Sequence, residues 1–420
     1  MRLTFLGGTQ EVGRSSFFAQ GRSLKLLLDA GVKLNGKTDF PAEPPEEPDA
    51  VIVSHAHLDH SGNLPRQFAE NGKKTVFATP PTIPLISLLL EDCLKVFKKK
   101  NKPAYFTPKE AKKFEQHAAG IGYREAYEFF DGSELEFYDA GHIPGSAQPL
   151  VRFAEGKTLL YTGDLKTSET RMHKGAETPK ERVDALVIEC TYATQKHPDR
   201  KKLEKQFCDD VRATIEAKQP VLVPCFAIGR AQEVLQALAA NNVGAEIYVD
   251  GMIEETTQIM MNFPSYLKDF DAFRKAVKKA HFVSDEKRKR LGSSPAVIIS
   301  TAGMLDGGPA LGYLKKMAQQ KRGKVFLTGY QVEGTNGRRL LDTGKARFDG
   351  KEEDVPLEAA QYDFSAHSDG DELFEYARKV GAEKVFCVHG KPEYCQAMAK
   401  RLRREGFDAV APAQGESFEF

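Results

Sequence analysis

The sequence predicts an α/β protein with two domains. Its 420 residues exceed the size of one typical hydrophobic core. Short apolar runs bounded by turn residues dominate both ends of the chain, whereas longer strand and helix patterns alternate from about residue 192 to about residue 350. Strands that alternate with helices are typical of a parallel sheet covered by helices. The central part therefore predicts a domain of its own.

The amino-terminal part is predicted to be a series of short strands with two helices. The glycine-rich loop 7–13, between the first two strands, could face a ligand. The predicted strands are 3–6, 15–19, 23–28, 51–53, 75–78, 134–138, 149–153, 157–161 and 184–189, and the predicted helices are 84–99 and 108–117.

The central part is predicted to alternate, and short strands return after Asp349. The basic run 285–290 is predicted to be a solvated turn. The central elements are helices 203–218 and 228–240 and strands 221–223, 247–249, 296–299 and 324–329, with further helices between the second and third of these strands. The last elements are strands 359–364 and 384–388 and helices 369–380 and 392–405.

Charge is unevenly distributed along the chain, although the formal net charge is only +1. Residues 192–345 contain 25 lysines and arginines against 17 aspartates and glutamates, a net charge of +8, whereas the remainder has 35 against 42, a net charge of −7. A basic segment beside an acidic one suits a module that holds a polyanion next to a module rich in metal-binding carboxylates. Solvated helix faces explain any single basic run equally well.

Cysteine usage and hydropathy predict a cytoplasmic protein. The six cysteines form no close pair and are interpreted as reduced core thiols. The first residues alternate like a strand rather than like a signal peptide. The longest apolar run, 83–90, is too short to cross a bilayer, and no membrane association is expected.

A histidine cluster follows the apolar run 51–53, where a predicted strand ends. His55, His57, Asp59 and His60 lie within six positions, although the chain has only ten histidines. Imidazole nitrogen and carboxylate oxygen are ligands for zinc, and manganese is an alternative metal. The cluster therefore predicts a metal site rather than a polar surface turn. His55 and His57 can point at one ion, and Asp59 and His60 can reach a second.

Three more predicted strand ends carry isolated residues of the metal-binding types: His142, Asp164 and His389. One such residue beside glycine is usually a polar loop residue, but repetition at strand ends favours a shared site. A two-metal site needs about four ligands per ion, with one carboxylate able to bridge. Asp164 could serve both shells. One shell is then His55, His57, His142 and Asp164, and the other is Asp59, His60, His389 and Asp164.

These residues resemble the motifs of the metallo-β-lactamase superfamily and, within it, of the β-CASP nucleases. The histidine cluster matches the HxHxDH motif, and three stretches resemble the inserted β-CASP domain. The other matching positions are Asp29, His142 and Asp164 for the superfamily, and Glu189, His367 and His389 for β-CASP motifs A, B and C. The three stretches are 224–233, 300–305 and 329–335. The resemblance covers essentially the whole chain.

The resemblance implies an αββα sandwich interrupted by an α/β domain with a mostly parallel sheet. Residues 1–191 and 351–420 would form the metallo-β-lactamase domain, and residues 192–350 the β-CASP domain. It also implies two zinc ions bound by the seven predicted ligands, with Asp29 supporting one ligand from behind. The nearest likeness is to archaeal ribonucleases of the RNase J and cleavage-and-polyadenylation-specificity-factor-like groups.

The resemblance also implies hydrolysis of RNA phosphodiester bonds to 5′-phosphate and 3′-hydroxyl ends. We favour a 5′→3′ exoribonuclease, with an endoribonuclease of the mRNA 3′-end-processing type as the alternative. A small-molecule metallo-hydrolase is disfavoured, since such enzymes lack the inserted domain and do not need His367. A non-catalytic RNA-binding scaffold is disfavoured because no metal ligand is missing.

The expected catalytic residues are His367, Glu189 and Asp59. His367 would act as the general acid that protonates the leaving 3′-oxygen, oriented by Glu189, while packing or helix capping is its structural alternative. Ser365, Gly334 and Thr335 are weaker candidates for substrate contacts, because ordinary turn chemistry explains them equally well. Single-stranded RNA is the expected partner, held in a groove between the two domains. A homodimer is expected from the resemblance alone.

Overall fold

The computed structural model describes residues 1–35, 37–68 and 74–420, which divide into two compact units. The outer unit contains residues 1–169, 174–196 and 367–420, and the inserted unit contains residues 170–173 and 197–366. The sequence predicts an inserted domain at 192–350. In the structure the main segment of the inserted unit begins at 197 and ends at 366, because the strand at 358–361 pairs with a strand of the inserted sheet.

Among the described residues up to 189, most of the secondary-structure elements are strands. Helix 108–117 has the predicted bounds, because Thr107 and Glu110 form a capping box around Pro108 at its first position. The elements are β1 (Arg2–Gly7), β2 (Ser16–Gln20), β3 (Lys25–Leu28), β4 (Lys33–Asn35), β5 (Lys37–Asp39), β6 (Ala50–Ile52), α1 (Leu58–Ser61), a 3-10 helix (Leu64–Phe68), β7 (Thr75–Ala78), α2 (Thr82–Lys99), α3 (Pro108–His117), β8 (Ala118–Gly120), β9 (Ala126–Glu128), β10 (Glu134–Asp139), β11 (Ala147–Arg152), β12 (Thr158–Tyr161) and β13 (Ala185–Glu189).

Strands and helices alternate through most of the inserted unit. Its elements are α4 (Arg200–Glu216), β14 (Val221–Pro224), α5 (Arg230–Ala240), β15 (Ile247–Asp250), α6 (Ile253–Met261), a 3-10 helix (Pro264–Tyr266), α7 (Phe270–Lys278), β16 (Ala280–Phe282), α8 (Asp285–Arg290), β17 (Val297–Ser300), α9 (Gly308–Gln320), β18 (Lys324–Leu327), α10 (Asn336–Thr343), β19 (Lys345–Phe348), β20 (Lys351–Asp354) and β21 (Glu358–Gln361). The outer unit resumes with α11 (Gly370–Val380), β22 (Lys384–Val388), α12 (Pro392–Arg404), β23 (Asp408–Val410) and β24 (Ser417–Glu419).

Two seven-stranded sheets form the outer unit. One has the order β24-β1-β2-β3-β6-β7-β8, and the other has the order β23-β22-β13-β12-β11-β10-β9. Buried side chains from both sheets share one core, in which Phe5 contacts the rings of Phe17 and Phe386. α11 and α12 pack on the second sheet through another buried cluster, and α3 contacts β7 of the first sheet. The αββα sandwich is confirmed.

The inserted unit is built on a parallel sheet of order β16-β15-β17-β14-β18-β21. The inner strands β14, β15, β17 and β18 are largely buried, whereas the edge strands β16 and β21 are not. Val221 and Val223 belong to the core that contains residues of α4 and α5, whereas Leu222 belongs to the core that contains residues of α9 and α10. This alternation is expected of a strand covered by helices on both sides. The predicted mostly parallel sheet is confirmed.

One structural prediction was wrong. Residues 285–290 form helix α8 rather than a turn, because Ser284 caps its first turn, with its hydroxyl accepting from the amide of Lys287 at 3.4 Å. Acidic residues lie in its first turn and basic residues in its last, which suits the helix dipole. No residue of the helix is buried, so the run is solvated as predicted.

All six cysteines are buried as free thiols, as the sequence predicted. Among the described residues, no helix combines the length and the apolar character that a bilayer crossing requires.

Candidate metal centre

The predicted metal ligands gather where strands of the outer unit end. In the first sheet, β3 and β6 run parallel and are followed by Asp29 and the histidine cluster. In the second sheet, β12, β13 and β22 run parallel, and Asp164 and His389 follow the first and last of them. Because the carboxyl ends of parallel strands share one edge, residues far apart in the chain meet there.

Three histidines and one oxygen of Asp164 form the first group. Nδ1 of His57 lies 3.2 Å from Nε2 of His55 and 3.2 Å from Nε2 of His142. Oδ2 of Asp164 lies 3.4 Å from Nε2 of His55 and 3.5 Å from Nε2 of His142. These are the four residues that the sequence analysis assigned to one ion.

The second group faces the other oxygen of the same carboxylate. Oδ1 of Asp164 lies 3.3 Å from Nε2 of His60 and 3.2 Å from Nδ1 of His389. Oδ2 of Asp59 lies 3.4 Å from Nε2 of His389 and 4.0 Å from Nε2 of His60. Asp164 therefore stands between two sets of ligand atoms, with one oxygen directed to each.

The spacing of these atoms fits zinc. Four ligands about 2.0–2.1 Å from a tetrahedral zinc ion lie about 3.3 Å from one another. Nε2 of His60 and Oδ1 of Asp164 are both buried and have no hydrogen-bond partner among the described residues, a costly arrangement that a bound cation would relieve. A buried nitrogen and a buried carboxylate oxygen that lie 3.3 Å apart without a hydrogen bond are a donor set suited to a cation.

Burial and neighbouring charges set the protonation of the first group. Burial, together with the His55 charge, lowers the pKa of His57 to about 3. Burial likewise lowers the pKa values of His55 and His142. These imidazoles are therefore neutral near pH 7, which is the form that binds a metal.

The second group carries the opposite perturbation. Burial disfavours a charge on His60, but the carboxylates of Asp164, Asp59 and Asp29 raise its pKa well above the usual range. Burial also opposes ionisation of Asp164, but the surrounding histidines, beginning with His389, hold its pKa well below the usual range. Negative charge is thus concentrated where a second cation would lie.

Asp29 holds His60 from behind. Its Oδ2 lies 2.6 Å from Nδ1 of His60 and accepts from the hydroxyls of Tyr161 at 2.7 Å and Ser54 at 2.8 Å, and its Oδ1 accepts from the Ser54 amide at 2.7 Å. Fixing Nδ1 turns Nε2 of His60 toward Asp164. The supporting position that the resemblance implied for Asp29 agrees with this geometry.

Close backbone contacts set the loops that carry the ligands. A Cβ atom at Gly31 would lie 1.8 Å from the carbonyl oxygen of Asp59, so a side chain at this position would collide with the histidine loop. The amide of His389 donates to the carbonyl of Gly8 at 2.6 Å, and His389 itself has a φ of 47°. The glycine-rich loop 7–13 therefore supports a predicted ligand.

His367 lies beside the first group and is oriented by Glu189. Its Nδ1 is 2.8 Å from Oε1 of Glu189, and its Nε2 is 4.0 Å from Oδ2 of Asp164. Burial lowers the pKa of His367, but the charges of Glu189 and Asp164 outweigh burial and raise it to about 9. His367 is therefore protonated near neutral pH in this arrangement.

Glu189 is also close enough to Asp164 and His389 to complete a third possible ligand set. Its oxygens are already used, since Oε1 accepts from the Leu165 amide at 2.8 Å and Oε2 accepts from the Thr191 amide at 3.1 Å. A carboxylate with these bonds is better suited to positioning His367 than to binding a metal.

The three predicted substrate contacts lie in the inserted unit. Thr335 caps α10, with its hydroxyl accepting from the Arg338 amide at 3.3 Å and donating to the Val332 carbonyl at 2.6 Å. Gly334 has a φ of +85°, which glycine adopts without strain. Ser365 is buried, and its carbonyl accepts from Arg200. The helix cap explains Thr335 and the positive φ explains Gly334, so neither residue requires a substrate contact to account for it.

Sequence reasoning missed several residues that build the centre. Tyr161, Ser54 and Gly31 act through contacts with segments remote in the chain, and nothing in their immediate sequence announced these contacts. The tyrosine ends the strand before Asp164, which was the one available signal.

Three family models match the chain in order. Residues 9–188 match the metallo-beta-lactamase superfamily, residues 231–340 match the Beta-Casp domain, and residues 352–412 match the Zn-dependent metallo-hydrolase RNA specificity domain. The chain is also 38% identical to Probable RNase MJ4 of Methanocaldococcus jannaschii, over 99% of both chains. The chain belongs to the β-CASP ribonuclease family of the metallo-β-lactamase superfamily.

Other relatives in this family carry different names. The chain is 36% identical to RNase aCSPSF2 of Saccharolobus solfataricus, over 99% of this chain and 84% of the relative. It is 35% identical to transcription termination factor FttA of Methanocaldococcus jannaschii, over 96% of this chain and 69% of the relative. A crystal structure of a protein of unknown function from Enterococcus faecalis V583 has a similar fold, with a TM-score of 0.63 and 12% identity over 99% of both chains.

Proposed function

We propose that this chain is a zinc-dependent ribonuclease that hydrolyses RNA to 5′-phosphate and 3′-hydroxyl ends in the 5′→3′ direction. The observation that carries the proposal is the placement of Asp164, whose two oxygens face two separate sets of histidine nitrogens. A carboxylate between two ligand sets is the arrangement of two-metal hydrolases that act on phosphodiesters.

The residues assigned to the metals are those of the two groups. His55, His57, His142 and Asp164 would hold one zinc ion, and Asp59, His60 and His389, with the other oxygen of Asp164, would hold the other. Bound there, zinc would supply Lewis-acid chemistry, which lowers the pKa of water and stabilises negative charge on phosphoryl oxygens. Asp59 is the most exposed of the carboxylates in these groups, so it is also the one best placed to meet substrate.

His367 would supply the proton that the reaction needs. Attack of water on phosphorus breaks the bond to the 3′-oxygen, a poor leaving group that must be protonated as it departs. With Nδ1 bonded to Glu189, the proton on Nε2 of His367 is directed toward the metal groups. The proton passes to the 3′-oxygen, leaving a 3′-hydroxyl, while the water oxygen remains on the new 5′-phosphate.

Single-stranded RNA is the proposed substrate. The match to an RNA specificity domain at residues 352–412 and the similarity to proteins named RNases support RNA rather than a small molecule. The net charge of +8 over residues 192–345 supports binding to phosphates.

Two modes of cleavage are candidates, exonucleolytic and endonucleolytic. The 5′→3′ exonucleolytic mode follows the resemblance to RNase J. Similarity over 96% of this chain to a protein named transcription termination factor favours the second candidate, an endonuclease, because an internal cut would suit a role in ending transcripts.

End-labelled RNA with a 5′-monophosphate or a 5′-triphosphate, and circular RNA of the same sequence, would separate the two modes. Mononucleotides released from the 5′ end with circles intact would support the exonuclease, whereas cut circles would support the endonuclease. EDTA should abolish both activities, and zinc or manganese added back should identify the metal that restores them.

The homodimer expected from the resemblance has its own test. Light scattering on the same preparation would measure the mass of the particle in solution.

The Asp164→Asn variant tests the assignment of Asp164 to both metal groups. It keeps the size of the side chain but removes the charge shared by both groups, so it should lose bound zinc together with activity. Full zinc content in this variant would contradict the assignment of Asp164 to both ions.

A further inference from the structure

Exposed aromatic side chains lie where strands of the inserted sheet end. β14, β17 and β18 are parallel neighbours, and the loops that follow them therefore lie at one edge of the sheet. Phe226 follows β14 and is 44% exposed, and Tyr330 follows β18 and is 41% exposed. Val332, in the same loop as Tyr330, is 40% exposed. Exposed apolar side chains grouped on neighbouring loops at the carboxyl ends of strands are typical of an interaction site.

Two glycines lie against the Phe226 ring. A Cβ atom at Gly303 would lie 3.0 Å from the Phe226 amide nitrogen and 3.4 Å from its ring atom Cδ2, and a Cβ atom at Gly329 would lie 4.0 Å from ring atom Cε2. Because neither neighbour has a side chain, the ring is supported by backbone while part of its surface stays open to solvent. This is the shape of a flat stacking surface rather than of a core residue.

The loops around the ring are fixed by hydrogen bonds. The buried amide of Gln331 donates to the carbonyls of Gly303 at 3.3 Å and Gly329 at 3.0 Å, which ties the loop after β17 to the loop after β18. The Gly337 amide donates to the Met304 carbonyl at 2.9 Å and adds a second link. A surface held in this way loses little conformational entropy when a ligand stacks on it.

The surroundings of these aromatic side chains favour a polyanion. Arg338, in the first turn of α10, lies near Tyr330, and its side chain is 46% exposed, although it pairs with Asp342 and the acidic Glu333 also lies near it. The segment from 192 to 345 carries a net charge of +8. Aromatic faces beside positive charge are the combination with which proteins bind single-stranded nucleic acid without sequence preference.

We propose that Phe226 and Tyr330 form a stacking platform for the bases of single-stranded RNA. This inference rests on the proposed ribonuclease function and adds to it a contact with the bases, whereas the basic side chains contact the phosphates. Every base has a flat face, so the platform would bind RNA of any sequence. An apolar docking site for another protein is the competing explanation.

The test compares base-bearing and abasic strands of equal length. Fluorescence anisotropy would measure binding of labelled 12-mer oligoadenylate and of a 12-mer abasic strand to the full chain, in a His367→Ala background that suppresses turnover. Phe226→Ala and Tyr330→Ala should each weaken oligoadenylate binding about ten-fold. Binding of the abasic strand should stay within about two-fold, because it offers phosphates but no bases.

Two further variants separate stacking from apolar contact and from misfolding. Phe226→Leu keeps an apolar side chain but removes the ring, so it should behave like Phe226→Ala, and Phe226→Tyr should restore binding. Phe130→Ala is the matched control, because Phe130 is 74% exposed and lies in the outer unit. It should bind like the parent.

The outcomes distinguish the two proposals. A parent protein that binds neither strand would overturn the ribonuclease proposal itself. Strong binding of both strands that Phe226→Ala leaves unchanged, or weakens equally for both, would overturn only the platform. Full oligoadenylate binding by Phe226→Leu would also overturn base stacking and favour a protein partner.

Discussion

Nδ1 of His367 lies 2.8 Å from Oε1 of Glu189, a fully buried carboxylate that also accepts hydrogen bonds from two backbone amides. The amides fix the carboxylate, and the carboxylate fixes the imidazole. His367 is 20% exposed, so the ring can meet substrate without leaving this arrangement. The pair therefore has the geometry of an acid and the group that orients it.

Removing the imidazole should reduce turnover without removing metal. We expect His367→Ala to lower kcat by about 10²–10⁴-fold, the usual contribution of a general acid, and Glu189→Gln to have a smaller effect in the same direction. Zinc content, measured by atomic absorption, should match the parent in both variants. His281→Ala, at an exposed histidine, is the control. Unchanged turnover in His367→Ala would rule out the acid role.

Asp29 should matter for metal affinity although it is not a predicted ligand. Asp29→Asn keeps the size of the side chain but weakens the bond that orients His60, so zinc affinity should fall by about 10–100-fold. Competition with a chromophoric chelator measures this affinity. Asp49→Asn is the control, because Asp49 is exposed and accepts from the strand amide of Lys25. Equal zinc affinity in the two variants would contradict the supporting role of Asp29.

A single methyl group at Gly31 should disturb the metal centre. The Gly31→Ala side chain would lie 1.8 Å from the Asp59 carbonyl oxygen, so the histidine loop must move. We expect a loss of about 1–3 kcal/mol in unfolding free energy and at least ten-fold weaker zinc binding.

Gly312→Ala is the matched control for that substitution. This glycine lies in helix α9 with open space around it, so alanine should be neutral or stabilising by about 0.5–1 kcal/mol. If both alanine variants bind zinc like the parent, the backbone contact between Gly31 and Asp59 does not position the ligands.

His173 should make the stability of the inserted unit depend on pH. Burial lowers the pKa of His173 to about 4, and Nε2 has no hydrogen-bond partner among the described residues. Because the unfolded chain binds this proton near pH 6.5 and the folded chain only near pH 4, the stabilisation is complete above pH 6.5. It is lost as the pH falls to 4, by about 3 kcal/mol in all.

Urea unfolding of His173→Gln at pH 7.5 and pH 5 tests this dependence. The loss of stability between these two pH values should be smaller in the variant than in the parent. His281→Gln, at an exposed histidine, should retain the parent's loss. An unchanged loss in His173→Gln would show that His173 does not titrate in this range.

The grouping of the predicted ligands followed from local sequence and from strand ends. Three histidines and Asp59 lie within six consecutive positions, so their proximity needed no tertiary information. Asp164 and His389 are remote, but each follows an apolar strand, and the ends of parallel strands converge. Repetition of metal-binding residue types at strand ends was therefore an effective signal for a shared site. The roles of these residues stay predictions until metal and activity are measured.

The contacts that support the centre could not be predicted in this way. The bond from Tyr161 to Asp29 joins the two sheets, and the approach of Gly31 to Asp59 joins two loops. Both depend on how separate segments pack, which neither periodicity nor spacing encodes.

One local signal was available and was not used. Asp349 and Gly350 both have positive φ and connect β19 to β20, which is the Asp-Gly turn expected of a two-residue hairpin. The predicted inserted domain ended at this position, whereas the inserted unit of the structure continues through it to residue 366.

The place of His389 in the chain has a consequence for biosynthesis. More than half of the chain lies between Asp164 and His389, including the whole β-CASP insertion. During translation, six of the seven predicted zinc ligands are therefore synthesised long before the seventh, His389. The nascent protein can gather the first group early, but the second group closes only after the insertion has been made. If both groups bind zinc as proposed, full loading would be a late event, and prematurely terminated polypeptides would lack the second metal site.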